Sequence, residues 1–281
     1  MSKESEIKEQ VKNKYSEIAL QSKEQNTASC CGANCCSTEV YNIMTDDYTD
    51  LEGYQTTADL GLGCGLPTAF AQIQPGNTVI DLGSGAGNDC FVARAAAGES
   101  GQIIGIDFTP AMVERAIENA AKFGFDNVSF RLGDIEQMPV ADGIADVVVS
   151  NCVLNLVPNK KAVFNEIYRV LKPGGHFSIS DIVLNGKLPA AIVESAEMYA
   201  GCVAGAIDKN EYLQIIAEAG FEDILLQKQK PIIVPDEILS NMLSAAEILL
   251  YKQNTNIIES ITVFAKKPAA KKNCCGPECC N

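Results

Sequence analysis

Twelve cysteines stand in this 281-residue chain, and eight of them fall in two short clusters. Cys30-Cys31-Gly-Ala-Asn-Cys35-Cys36 and Cys274-Cys275-Gly-Pro-Glu-Cys279-Cys280 share the pattern C-C-G-x-x-C-C, with Cys64, Cys90, Cys152 and Cys202 between them. A chain of this length builds a core without covalent staples, and its opening MSKESEIKEQ lacks the apolar stretch of a secretory signal. The thiols are therefore expected to act chemically rather than as disulfides. Thiolates are soft ligands, suited to soft centres. The clusters read as reactive thiols able to hold a soft metal such as zinc or copper(I). Cys64 sits in Gly61-Leu62-Gly63-Cys64-Gly65-Leu66-Pro67, Cys152 in Ser150-Asn151-Cys152, and Cys202 in Tyr199-Ala200-Gly201-Cys202-Val203-Ala204-Gly205. Each of these, taken singly, reads more readily as a buried space-filler than as a ligand. Cys90, within Asn88-Asp89-Cys90-Phe91-Val92, reads as core.

A second constellation is Thr78-Val79-Ile80-Asp81-Leu82-Gly83-Ser84-Gly85-Ala86-Gly87, a strand entering a glycine turn that opens a helix. Such a turn lets a ligand approach the backbone closely. Its G-x-G-x-G spacing departs from the dinucleotide fingerprint, which wants its third glycine in the sixth place. Asp107 ends the next apolar run, 20 residues after Gly87, where a carboxylate can bond both ribose hydroxyls. Gly133-Asp134-Ile135-Glu136 follows the third run and puts another carboxylate near a base edge.

The elements that must position these residues alternate. Strands are expected at Asn77 to Leu82, Gln102 to Asp107, Val128 to Leu132, Ile144 to Ser150 and Phe177 to Val183. Helices are expected at Asn88 to Ala97, at Pro110 to Phe123 with proline in its first turn, and at Lys160 to Leu171. Lys172-Pro173-Gly174-Gly175 is a turn signal. Strands alternating with helices mean an α/β fold, a mostly parallel sheet covered on both faces. Ile7, Val11, Tyr15 and Ile18 recur at helical spacing, giving an amphipathic N-terminal helix. Beyond the fifth strand, helices are expected at Ala190 to Val203, Lys209 to Ala219 and Pro235 to Tyr251, with closing strands at Phe221 to Gln229 and Ile257 to Lys266.

In their order, D-L-G-S-G-A-G, G-I-D, G-D-I-E and R-V-L-K-P-G-G resemble the motifs of class I S-adenosylmethionine-dependent methyltransferases over roughly residues 75 to 185. The resemblance implies a Rossmann-like fold with S-adenosylmethionine as cofactor. Gly83, Gly85 and Gly87 would cradle its methionine part, Asp81 its amino-acid end, Asp107 its ribose, and Asp134 and Ile135 its adenine. Ser84, Phe108, Met112 and Asn151 complete the implied cofactor-binding set. Over residues 40 to 265 the chain is similar to arsenite methyltransferases: L-G-C-G-L-P, S-N-C-V-L-N-L and M-Y-A-G-C match that family's three arsenic-binding cysteines. Cys64, Cys152 and Cys202 would then hold As(III), with Cys152 facing the methyl donor. The glycines beside Cys64 and Cys202 would let those two segments move apart when no ligand holds them. Family members carry a further cysteine about 30 residues upstream, for which Cys35 or Cys36 is the candidate in a redox or relay role. The same resemblance implies arsenite or its thiol adducts as substrate, and glutathione or thioredoxin as reductant.

Composition removes several other classes. A formal net charge of -14, from 22 Lys plus Arg against 36 Asp plus Glu, repels phosphate backbones and excludes a general nucleic-acid binder. No apolar run approaches the ~20 residues of a membrane span, so a cytoplasmic protein without membrane association is expected. The only histidine, His176, opens a strand after Gly174-Gly175 and reads as structural. The expected organisation is an N-terminal helical arm with its Cys cluster over 1–45, a cofactor-binding domain over 46–184, an acceptor-binding and sheet-completing region over 185–265, and a flexible Cys-rich tail over 266–281. Two alternatives remain open here: a C- or O-methyltransferase of a quinone-like molecule, and a thiol-rich metalloid-sequestering protein.

Overall fold

A computed structural model describes residues 3–21, 44, 46–194, 202–253 and 257–270. Seven strands form one sheet: β1 (Thr78–Leu82), β2 (Gln102–Asp107), β3 (Val128–Leu132), β4 (Ala145–Asn151), β5 (Leu171–Leu184), β6 (Glu222–Pro231) and β7 (Ile258–Lys266). Their spatial order is β3-β2-β1-β4-β5-β7-β6. The first five run parallel, while β7 lies antiparallel to β5 and β6. This is the mostly parallel Rossmann-like sheet that the alternation of strand and helix demands.

The strand period of two divides the core. Val79, Ile103, Val147 and Val149 face one side with Phe91 and Cys90; Ile80, Ile104 and Val148 face the other with Phe164, Ile167 and Phe177. Apolar residues on both strand faces mean that both need helical cover. The helices in chain order are α1 (Lys3–Ile18), α2 (Pro67–Phe70), α3 (Asn88–Ala97), α4 (Pro110–Phe123), α5 (Lys160–Val170), α6 (Ala190–Val193), α7 (Lys209–Glu218), α8 (Asp236–Leu239) and α9 (Ala245–Lys252). Their ends follow local chemistry. Asn159 caps α5 by accepting the Ala162 N–H, Asp208 caps α7 likewise, and Gly124 ends α4 in the left-handed region. No helix among the described residues is long and apolar enough to cross a membrane.

Three expectations change. Lys172-Pro173-Gly174-Gly175 is not a turn separating two elements: it lies inside β5, because Gly174 N–H bonds the Lys267 carbonyl and Lys267 N–H bonds that of Gly175. The segment Pro235 to Tyr251 is two helices, since Ser244 and Glu247 form a capping box that starts α9 afresh. The helix foreseen over Ala190 to Val203 is formed at Ala190–Val193 and has given way to turns by Cys202; residues 195–201 lie outside the described residues. Both C-C-G-x-x-C-C clusters, with Cys35 and Cys36, also lie outside them.

Candidate active site

The carboxyl ends of β1, β2 and β4 open onto a cleft of about 1060 Å³, counting solvent at its mouth. This is where open α/β sheets hold ligands. From β1 the chain turns through Gly83 (φ 66°) and Gly85 (φ 51°) into α3, with Gly83 and Ser84 N–H groups both donating to the Ile106 carbonyl. A Cβ on Gly83 would lie 2.4 Å from Val153, whereas one on Gly85 would meet nothing within 4 Å. The Gly85 backbone thus faces open cleft. Asp107, at the end of β2, accepts N–H bonds from Gly85 (3.0 Å) and Thr109 (2.8 Å). Burial raises its carboxyl, and these N–H bonds oppose the rise.

Asp81, Gly83, Ser84, Gly85, Asp107, Phe108, Met112, Asp134, Ile135 and Asn151 line this cleft. Gly87 is the exception among the residues read from the sequence. It is the N-cap of α3, at φ 100°, where a Cβ would strike the Phe91 and Phe130 rings. The cleft suits a polar, extended ligand. Buried oxygens of Ser84, Asn88 and Thr109 have no partner in the protein, and all three residues line it. A nucleoside-bearing ligand such as S-adenosylmethionine fits that lining: unpartnered oxygens of Ser84, Asn88 and Thr109, a carboxylate at the end of β2, and the apolar Met112 and Ile135.

Beside the cleft lies an apolar pocket holding three thiols. Cys64, Cys152 and Cys202 are all buried and share one hydrophobic cluster with Met44, Leu156, Ile182 and Val203. The Cys152 thiol is in hydrogen-bonding contact with both Cys64 and Cys202. The Cys202 thiol also donates to the Cys152 carbonyl at 2.7 Å. Three segments far apart in sequence therefore converge, and Cys152 alone of the trio lines the cleft. The two glycine-flanked segments are gathered here, not parted. Yet no group of three His, Cys, Asp or Glu among the described residues is aimed at one point as a metal ion requires. The Cys202 S–H is engaged by the Cys152 carbonyl instead.

Backbone strain marks the same place. Cys152 (φ 61°) and Cys202 (φ 63°) occupy the left-handed region that non-glycine residues avoid, at a cost of about 1–3 kcal/mol each. Surrounding bonds hold them there. Cys152 N–H donates to the Ser180 carbonyl, Cys64 N–H to Asn151 Oδ1 at 3.0 Å, and Ser260 Oγ to the Cys64 carbonyl at 2.6 Å. Gly65 is required beside Cys64, since a Cβ there would come within 2.5 Å of Ser180 Oγ. Burial pushes the Cys64 thiol up and the Cys152 thiol well up, so both are protonated at neutral pH.

Sequence reasoning misses four residues. Tyr48 donates to the buried Asp89 carboxylate, and Asn151 Nδ2 bonds Tyr48, the Gly65 carbonyl and Asp89, so this network ties the Cys64 loop to the end of β4. Burial raises Asp89 to about 6 against the pull of those bonds. Asn151, assigned to the cofactor from sequence, therefore also positions the thiol loop. From α1, Lys8 bridges Asp134 (2.6 Å) and Glu136, and Tyr15 packs between the thiol cluster and a second cluster containing Ala86 and Met112. A polar tyrosine tip on the apolar stripe of α1 is the one signal that could have drawn attention to it. Cys90 is core as expected, donating to Asp81 at 3.3 Å. His176 bonds the Ala71 carbonyl and packs on Phe264, away from the cleft.

A methyltransferase domain model matches residues 73–220. The chain is 40% identical to the arsenite methyltransferase of Halobacterium salinarum, over 94% of this chain and 67% of that protein. It is 34% identical to the arsenite methyltransferase of Aquipseudomonas alcaligenes, over 85% of this chain and 68% of that one. The chain belongs to the arsenite methyltransferase family. A solved structure agrees: the arsenic(III) S-adenosylmethionine methyltransferase CrArsM of Chlamydomonas reinhardtii superposes with a TM-score of 0.60 at 31% identity, over 75% of this chain and 68% of that one. In this chain the thiol pocket lies against the cleft, with Cys152 in the wall between them.

Proposed function

We infer that this chain methylates trivalent arsenic with S-adenosylmethionine, holding the arsenic on Cys64, Cys152 and Cys202. The observation that carries the reading is the meeting of three buried thiols in an apolar pocket, with Cys152 in the wall of the cleft. Arsenite near neutral pH is the uncharged hydroxide, so an acidic protein needs no cationic steering to admit it. Protonated thiols suit this substrate. Three As–S bonds form, three As–O bonds break, and each thiol proton leaves with a hydroxide as water, so no net charge is created in the apolar pocket.

The residues lining the cleft would hold S-adenosylmethionine as the fold directs: the Gly83 to Gly85 turn along its methionine part, Asp107 at its ribose, Asp134 and Ile135 at its adenine. When bound, it supplies an electrophilic methyl group, which goes to the arsenic lone pair. That lone pair carries no proton, so the chain has no general base to provide. Positioning and exclusion of water are its tasks, and they supply several kcal/mol of the barrier. Tyr15 and Lys8 from α1 also line the cleft, Lys8 paired with Asp134. Glutathione or thioredoxin keeps the thiols reduced, and arsenic arriving as a thiol adduct enters by exchange, each cysteine proton passing to the departing thiol. The test is direct: purified protein with arsenite, a reducing thiol and S-adenosylmethionine yields methylated arsenicals, and Cys152→Ser abolishes them. Methylation of a quinone-like acceptor that survives loss of all three cysteines would replace this reading.

A further inference from the structure

Beneath the thiols lies a buried polar cluster that methyl transfer does not use. Asp181, on β5, is fully buried and accepts bonds from Asn155 Nδ2 (3.0 Å), Ile182 N–H (2.9 Å) and Tyr212 Oη (3.3 Å). Lys160, the first residue of α5, is only 8% exposed, and its Nζ donates to the Gly205 carbonyl at 2.9 Å. Burial lowers the Lys160 ammonium, while Asp181, Cys202 and Glu211 act to hold its charge. Lysine is almost never buried without compensation, and here the Nζ is met at hydrogen-bonding distance by a backbone carbonyl. This ammonium therefore needs an account beyond stability.

Its acceptor supplies one. Gly205 lies three residues after Cys202, in a segment fixed downstream by the Leu184 N–H bond to the Ile207 carbonyl. Cys202 itself is held at φ 63° by the bond from its thiol to the Cys152 carbonyl. That thiol bond cannot outlast substrate binding, because the Cys202 proton departs with a hydroxide of arsenite when sulfur bonds arsenic. The bond from Lys160 is unaffected by the exchange. We propose that Lys160 is a positioning residue for the acceptor, clamping the Gly205 carbonyl so that Cys202 keeps its place beside Cys64 and Cys152 once its own hydrogen bond is given up. The proposal rests on the reading that these three thiols hold arsenic.

The experiment compares wild type with Lys160→Met and with the double variant Lys160→Met/Asp181→Asn, which restores charge balance without restoring the donor. All are full-length; the eight cysteines of the terminal clusters are changed to serine for the binding titrations and kept for the kinetic measurements. Arsenite is titrated by its arsenic–thiolate ultraviolet absorption, S-adenosylmethionine by calorimetry, and KM for each is measured separately. Both variants should bind arsenite about tenfold more weakly, the loss expected for one charged hydrogen bond, with donor affinity within about twofold of wild type. Unchanged arsenite affinity, or an equal loss for arsenite and donor, overturns the proposal. Should Lys160→Met fail to fold, the double variant decides by the same criteria. A wild type that neither binds nor methylates arsenite overturns the reading beneath it, and this inference falls with that reading.

Discussion

The cleft over β1 and β2 is lined in part by short runs that follow strand ends, Gly83 to Ala86, Phe108 to Thr109 and Gly133 to Ile135, whereas the thiol pocket takes its sulfurs from single side chains at positions 64, 152 and 202. In the cleft, a glycine turn and the carboxylate closing the next strand shape the site wherever this sheet forms. The pocket has no such local device. It depends on two cysteines held in left-handed backbone and on bonds from Asn151, Ser180 and Ser260 that cross the fold. On the proposed reading, recognition of the donor comes with the sheet, while recognition of the acceptor is added by side chains that the sheet gathers.

If that division is right, substitutions should separate the two halves. The largest effect belongs to Cys152→Ser: arsenite methylation should fall by about a hundredfold or more while calorimetric donor affinity stays within about twofold. A parallel loss of both would erase the distinction. Gly85→Val should do the reverse. A side chain there enters open cleft at φ 51°, so donor affinity should drop by tenfold or more. The arsenic–thiolate absorption of the chain should persist.

Stability against pH tests the thiol half further, because two buried carboxyls support it. Asp89, beside the Cys64 loop, is raised to about 6, and Asp181, beneath the thiols, to about 7, both chiefly by burial. A carboxyl raised above its unfolded value binds its proton more tightly in the folded chain. Its contribution to stability is therefore complete below about pH 4 and is lost as pH rises through 6 or 7. Thermal melts should show Asp89→Asn flattening the pH dependence between about 4 and 6 by up to about 3 kcal/mol, and Asp181→Asn between about 4 and 7 by up to about 4 kcal/mol. A steeper dependence in either variant contradicts the assignment. The smallest effect is expected at Lys8→Ala. Its bridges to Asp134 and Glu136 are partly exposed, so donor KM should rise only about two- to fivefold, with arsenite KM unchanged.

Local signals carry the legible part of this molecule. The strand, turn and helix over 78–97 contain their own instructions: apolar residues on both strand faces, three glycines at positive φ, and a helix start. Non-local contacts account for what escaped. Lys172-Pro173-Gly174-Gly175 has turn composition, but pairing with Lys267 draws it into β5, and only the tertiary fold supplies Lys267 as partner. Tyr15 and Lys8 read as two positions on an amphipathic helix, and nothing near them in the chain says that the helix lies over the cleft. Asn151 shows the limit from the other side: its place at the end of β4 is visible in sequence, its grip on the Cys64 N–H is not. The Ser244 to Glu247 capping box was visible, and the apolar pattern running across it concealed the break.

X-ray absorption at the arsenic edge, on full-length protein loaded with one equivalent of arsenite after the terminal clusters are changed to serine, tests the central claim most directly. Three sulfur neighbours and no oxygen, falling to two sulfurs when any one of Cys64, Cys152 or Cys202 becomes serine, is the predicted result. Retained oxygen in the parent protein, or a coordination shell indifferent to those three substitutions, would contradict it.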